Sequence, residues 1–380
     1  MLSGEKYSLL IPTYNRPSLL NGLLGYFLKK NARFPILVLD SSSAEWKEKN
    51  RAVIGRHPLD VRHLEFDSTT RFDTKINTAL KTITSEYVSL CADDDLVFVE
   101  AIEACVSELD RHPDLAACHG IYLNFVLTEG KVKLSVEYSA PSIEAEDAIG
   151  RSYQALKQYE ALTYAVYRRS IMTDIFDAVS TFPETMFWEL FLSVAPLASG
   201  KVRRLNQIYH ARRGGASANQ VRFHPASWIG QDPDEFITAL IGYRQLLIDY
   251  LQGKGVEVGP DARRILTQAH VVYFCRELGN GTAVCDAIDT ALSSRLPGGK
   301  WVSSPRPAQA PSAIRRVLAP ALWLRDRLAE RANGTDTIHF TADGGGIGFM
   351  ASRATRTLTP PWIVTDLSRY CSALKTATKP

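Results

Sequence analysis

Short apolar runs alternate with stretches of helical period across the first 113 residues, and few architectures accommodate that rhythm. "YSLLIP" (7–12) reads as a buried strand stopped by proline, and "PSLLNGLLGYFLKK" (17–30) as a helix with Pro17 at its entry and lysines at its end. "PILVLD" (35–40) is a second buried strand, followed by the polar turn "SSSAE". "VRHLEF" (61–66) alternates like a half-exposed strand, "DTKINTALKTITS" (73–85) has helical spacing, and "YVSLCA" (87–92) is apolar again. "LVFVEAIEACVSELDRHP" (96–113) reads as a helix ending before Pro113. This order predicts an α/β fold with a mostly parallel sheet covered by helices on both faces. In such sheets ligands bind beyond the carboxyl ends of the strands.

One of those strand ends is heavily charged. The run "SEYVSLCADDDL" closes on Asp93, Asp94 and Asp95, and adjacent carboxylates raise one another's pKa. A hard divalent cation held by oxygen ligands would compensate them; a solvated turn with one Asp capping the next helix is the plainer alternative. Two other strand ends draw the eye beside it, "PTYNR" after the first strand and Asp40 with its serines after the second.

Beyond residue 114 the pattern changes. "LAACHGIYLNFVL" (115–127) and "KVKLSVEY" (131–138) read as strands joined by "TEG", an irregular region follows, and 181–205 reads as helix, loop and short strand. From about 226 amphipathic runs at 233–252, 261–278 and 312–332 predict a mainly helical region, broken by the linker-like "SSPRPAQAPS" (303–312). The predicted units are therefore 1–225, divided into halves 1–114 and 115–225, and 226–380. Gly344, Gly345, Gly346 and Gly348 lack phosphate-loop spacing and read as a turn.

Composition excludes several classes. A net charge of +3 argues against wholesale nucleic-acid binding, and six scattered cysteines without a CxxC pair fit neither a zinc site nor a disulfide framework. "EKYSLLIPTYNRP" carries no basic-then-apolar leader, and no apolar run reaches membrane-spanning length, so the chain reads as cytoplasmic. The "NGT" sequons at Asn280 and Asn333 then read as polar turns. "SAIRRVLAPALWLRDRLAER" (312–331) combines basic and apolar faces around Trp323; a packing helix is the first reading, peripheral contact with the inner face of a membrane the second.

Taken together, "SLLIPTYNRPSLL", "ILVLDSSS" and "INTALKTITSEYVSLCADDDL" resemble, in order and spacing, the nucleotide-binding half of a family 2 glycosyltransferase with the GT-A fold. The resemblance covers roughly the first 215 residues. It implies transfer of a sugar from a nucleoside-diphosphate donor to a hydroxyl of a glycan, possible lipid-linked, acceptor, with inversion and with Mn²⁺ or Mg²⁺. It places Pro12, Thr13, Tyr14 and Arg16 around the nucleotide base and makes Asp40 the carboxylate that accepts from it; an Asx-turn is the alternative for Asp40. Arg71, Lys75 and Asn77 approach the nucleotide, Asp93 faces the ribose, and Asp94 ligates the metal with Asp95 assisting. Ala92 stands where many relatives carry an acid, so the roles of the three aspartates are open by one position.

"IYHARRGGASAN" (208–219) resembles the family's flap over the donor. His210, also a candidate metal ligand, joins Arg212 and Arg213 as donors to a leaving diphosphate, and Gly214 and Gly215 supply freedom. The family's catalytic base matches the segment "FPETMFWELFLSVAPLASGKV", where Glu189 is the first choice and Glu184, which also completes a capping box in "TFPE", the reserve. The usual Glu-Asp pair is replaced by Met186 and Phe187, which keeps an inactive sugar-nucleotide-binding module in view. A nucleotidyltransferase on a similar sheet is disfavoured, because "PTYNRPSLL" is not the Gly-rich basic loop such enzymes carry.

Overall fold

The computed structural model describes residues 6–128, 131–136, 138, 140–182, 187–214, 233–277, 337–341 and 347–377. The predicted alternation is present: β1 (Tyr7–Thr13), α1 (Pro17–Lys29), β2 (Ile36–Asp40), α2 (Ala44–Ile54), β3 (Val61–Glu65), α3 (Phe72–Leu80) and β4 (Tyr87–Leu90) follow one another. β1 lies parallel between β2 and β4, and β3 runs parallel on the outer edge of β2. Every residue of β2 and β4 is buried, as their unbroken apolar runs require, whereas edge strand β3 is half-exposed. α2 was not foreseen: its sequence "AEWKEKNRAVI" buries only Asn50 and Val53, too few positions for a helical period to show.

The second half of the sheet is mixed. β5 (Leu96–Val97), α4 (Val99–Arg111), β6 (Leu115–Thr128), β7 (Lys131–Val136), α5 (Ala148–Lys157), β8 (Val166–Arg168), α6 (Arg169–Val179), α7 (Trp188–Val194) and β9 (Lys201–Arg213) follow in order. β8 is antiparallel to both β4 and β6, and so joins the two halves. The helix expected from 96 starts at Val99, because Leu96 and Val97 pair with Ala211 and His210 of β9 instead. β9, expected to be short, runs for 13 residues beside β6.

The C-terminal region is helical in α8 (Pro233–Gly253) and α9 (Pro260–Glu277), close to the expected spans. It also contributes what periodicity did not announce: a strand pair, β10 (Thr337–Thr341) and β11 (Gly348–Ser352), then α10 (Arg353–Leu358) and α11 (Pro361–Ala377). β11 pairs parallel with β7 and extends the sheet, whose order is β10-β11-β7-β6-β8-β4-β1-β2-β3. Two apolar cores result. One is built by α1, α4 and α11, the other by α3, α5, α6, α7, α8 and α9, so both faces of the sheet are covered. Glu184, Gly215, Gly344–Gly346, both sequons and the 303–332 segment lie outside the described residues. Among the described residues no helix is long and apolar enough to cross a membrane.

Candidate active site

Parallel pairing of β1 with β4 sets the "PTYNR" loop beside the aspartate triplet. Thr13 Oγ1 donates to Asp93 Oδ2 at 2.7 Å, and Arg16 Nη1 reaches Asp93 Oδ1 and Asp94 Oδ2, each at 3.2 Å. The charge on the triplet thus has a partner 77 residues away in sequence for Asp93 and 78 for Asp94. Burial nevertheless pushes the Asp93 carboxyl up to about 6; Thr13 and Arg16 oppose the rise and Asp94 adds to it. Burial and then Asp95 raise Asp94 as well. Arg16 loses hydration, but the fields of Asp93 and Asp94 outweigh that loss and hold it firmly protonated.

The loops after β1 and β2 are stitched together. Asn15 sits in the left-handed region at φ 56°, its N–H donates to Ser42 Oγ and its Oδ1 accepts from Ser43 N–H. Asparagine tolerates that backbone better than most residues, which explains its place here. Tyr14, in the same loop, is 52% exposed. Pro12 remains within β1, its Cα opposite Leu39.

Several residues expected at the nucleotide have hydrogen-bond partners inside the fold. Asp40 is fully buried and accepts from Ser42 N–H, Asn50 Nδ2 and His63 Nε2. Burial alone would raise its carboxyl, but these donors hold it well below the usual carboxylate range. Its oxygens thus anchor the turn after β2, the Asx-turn contact that stood as the alternative reading of Asp40. Asn77 turns to α6 and donates to Asp177 Oδ1 at 2.9 Å, away from the strand ends. Arg71 bonds Asp73 and the Phe182 carbonyl and lies 5.2 Å over the Trp188 ring, so it braces α3 against the segment leading to α7. Lys75 does stay at the site. Its ammonium donates to Ser41 Oγ at 2.9 Å, and burial lowers its pKa against the opposing fields of Asp40 and Asp93.

Asp95 and His210, both expected near a metal, contact each other and β9. Asp95 accepts from Arg213 N–H at 2.8 Å, and its Oδ2 lies 3.3 Å from Nε2 of fully buried His210. Both distances follow from the β5–β9 pairing, so the third aspartate fastens β9 to the strand tip. Among the described residues no three His, Cys, Asp or Glu side chains converge as a metal cluster. What remains is two hard carboxylate donors, Asp93 and Asp94, already gathered around one cationic group. That donor set fits Mg²⁺ or Mn²⁺ held by two carboxylates with phosphate oxygens and water completing the shell.

His210 also opens onto a cavity of about 190 Å³. Its wall is aromatic (Phe72, Tyr122, Tyr138, Tyr164, Trp188), and Glu189 and Arg212 supply charge. The His210 ring stacks on Tyr164 with centroids 4.6 Å apart. Five buried polar atoms on lining residues have no hydrogen-bond partner among the described residues: Tyr122 OH, Thr163 Oγ1, Trp188 Nε1 and both ring nitrogens of His210. Such orphans cost stability unless a ligand or water meets them. Arg212 is penalised by burial, yet Tyr138, Tyr164, Glu189 and Asp95 keep it protonated. Of the expected catalytic pair, Glu189 is thus in the cavity, and Glu184 is not described. The aromatic residues were missed because they come from α3, β6, α7 and the segment before β8, with no local motif to join them.

No curated protein matches the chain in sequence. Similar solved structures include residues 1–349 of S. aureus TarS, at 16% identity over 90% of this chain and 95% of that one, with a TM-score of 0.47. The same protein in complex with UDP-GlcNAc has 14% identity, the same coverages and a TM-score of 0.47. A mannosyltransferase from Pyrobaculum calidifontis, in complex with GDP-Man and Mn²⁺, has 13% identity over 98% of this chain and 88% of that one, with a TM-score of 0.43. The family model described as glycosyl transferase family 2 matches residues 8–176, the span that carries β1, the "PTYNR" loop and the triplet. Over residues 8–176, from β1 to α6, the chain is thus similar to glycosyl transferase family 2.

Proposed function

We propose that the enzyme transfers a sugar from a nucleoside-diphosphate donor to a hydroxyl of a glycan acceptor, with inversion and with Glu189 as general base. The observation that carries this reading is the cavity at Glu189, whose aromatic wall and five orphaned polar atoms suit a sugar ring: apolar faces to stack and hydroxyls to pair. Its link to the triplet through His210 and Asp95 supports placing acceptor and donor side by side.

In this mechanism Tyr14 offers its face to the base, and Asp93, held by Thr13, meets the ribose or the cation. The acceptor hydroxyl gives its proton to Glu189 as its oxygen bonds the anomeric carbon. The bond from that carbon to the phosphate oxygen breaks, and its electron pair leaves with the nucleoside diphosphate. Arg212, and Arg16 if the cation displaces it, offer positive charge to that leaving group. Asp93 and Asp94 are the residues that would hold Mn²⁺ or Mg²⁺, which neutralises charge on a departing diphosphate. Peripheral contact with a membrane bearing a lipid-linked acceptor belongs to the same reading.

Glu189→Gln tests it. Turnover should fall by roughly 10²–10⁴-fold, the usual contribution of a general base, with little change in donor dissociation constant. Initial transfer rates and calorimetric titration of the donor, measured on the same preparation, provide both numbers. A near-normal rate would remove Glu189 from the mechanism.

A further inference from the structure

A second cavity, of about 300 Å³, lies between α1 and α11, away from the aspartates and the aromatic wall. Its floor exists because α1 carries Gly22 and Gly25 on this face. A Cβ at Gly22 would stand 3.4 Å from Leu374, and one at Gly25 would stand 3.7 Å from His57 Cε1. A volume of this size is at the lower end of small-ligand pockets.

Charge around the cavity is unbalanced. Lys29, Lys30 and Arg369 line it against a single lining carboxylate, Asp366. That carboxylate is already taken: Lys30 Nζ lies 2.6 Å from Asp366 Oδ2 and 2.7 Å from Glu100 Oε1. Lys29 and Arg369 are exposed; among the described residues neither reaches ion-pair distance of a carboxylate, and Arg369 acts on Asp366 only through its field. His57 adds a polar group of another kind. Its Nε2 is 3.0 Å from Asn21 Oδ1, and its Nδ1 is buried without a hydrogen-bond partner among the described residues. Burial, and then Arg56, lower its pKa, so the ring is neutral. With Nε2–H given to the amide oxygen, Nδ1 is left as a lone-pair acceptor awaiting a donor.

Two exposed cations beside an acceptor suit a ligand that carries both an anion and a hydroxyl. We propose that this cavity binds a phosphate-bearing small molecule, a sugar phosphate or free phosphate, with Lys29 and Arg369 meeting the phosphate and His57 receiving a hydroxyl. The site stands apart from the transfer chemistry, and the proposal does not depend on it. α1 connects the two places, since the helix that floors the cavity begins at Arg16, which bridges Asp93 and Asp94.

Calorimetric titration of the full chain with inorganic phosphate, glucose 1-phosphate and glucose tests the assignment. Phosphate-bearing probes should bind and glucose should not. The double variant Lys29→Ala/Arg369→Ala should weaken that binding by about tenfold or more, since hydrogen bonds to charged groups are lost. Gly25→Leu, which fills the floor, should do the same. Tighter binding of glucose 1-phosphate than of phosphate supports an ester as the natural ligand; equal binding supports free phosphate. Failure of both phosphate probes to bind, or unchanged affinity in the double variant, would overturn the proposal. The double variant decides alone should Gly25→Leu not fold, because its exposed substitutions leave both cores intact.

Discussion

Arg16 is the residue on which the aspartate triplet turns. Its guanidinium occupies the position between Asp93 and Asp94 that a divalent cation would share, so metal binding has to displace or reorient it. Protons compete there too. Because the folded-state pKa of Asp93 is raised to about 6 from an ordinary carboxylate value near 4, the metal-free fold favours the protonated acid. Its contribution to stability is therefore greatest at low pH and is lost as pH climbs from about 4 through about 6. Cation binding has the opposite slope, since the ligand must be ionised. Mn²⁺ affinity in the presence of a nucleoside diphosphate is expected to rise as pH passes through about 6, and Asp94→Ala to abolish most of it. Calorimetry at several pH values checks this; a flat profile with an unaffected Asp94→Ala variant would refute the two-carboxylate site. Carbon NMR of Asp93 in Arg16→Ala should independently show its midpoint shifted further upward, because an opposing positive charge has gone.

At the scale of elements, β9 does more than close the sheet. It aligns His210 and Arg212 with the aromatic cavity, and Asp95 holds it through the Arg213 N–H. Its contact with β6 passes over Gly120, where the register shifts between His119 and Ile121. A Cβ there would meet the Gln207 carbonyl oxygen at 2.3 Å and Tyr209 Cβ at 2.8 Å, backbone and core that cannot yield cheaply. Gly120→Ala should consequently destabilise the fold by about 1–3 kcal/mol, the usual cost of overpacking. It should also reduce transfer out of proportion to its folded fraction, because His210 moves with the strand. Urea denaturation paired with rates corrected for folded protein separates the two effects.

The whole molecule shows what was readable and what was not. β1, β2 and β4 stood out because both of their faces are buried, which turns a strand into an unbroken apolar run. α2 was invisible for the converse reason, and β5 because two residues owe their strand character wholly to β9. At the site, Asp93, Asp94, Thr13 and Arg16 were recognisable from loop position, and the structure brings them together. For Asp40 and Asn77, type and spacing do not tell that the side chains also bond internally, with Asn50, His63 and Asp177. Tyr122, Thr163, Tyr164 and Trp188 depend on chain reversals that no local pattern encodes. The C-terminal additions are of the same kind, and they are integral to the core. Deleting everything after residue 336 would expose the face of α1 that packs on Leu367, Tyr370 and Leu374, together with the edge of β7. That truncation should yield protein that associates and melts well below the full chain, as size-exclusion chromatography and circular dichroism would report.

Sheet order also dictates an order of events in time. Lys131 of β7 and Gly348 of β11 are neighbours, although residues 132–347 lie between them in the chain. While a nascent chain lengthens, β7 presents an unpaired margin and α1 an oily flank until the last described elements emerge. Closing so wide a span is entropically costly and delays the final pairing, so completion is expected to be a slow, late step. Half-made chains would then be the vulnerable population, and a holdase-type chaperone attending synthesis would protect them better than one acting on the finished enzyme.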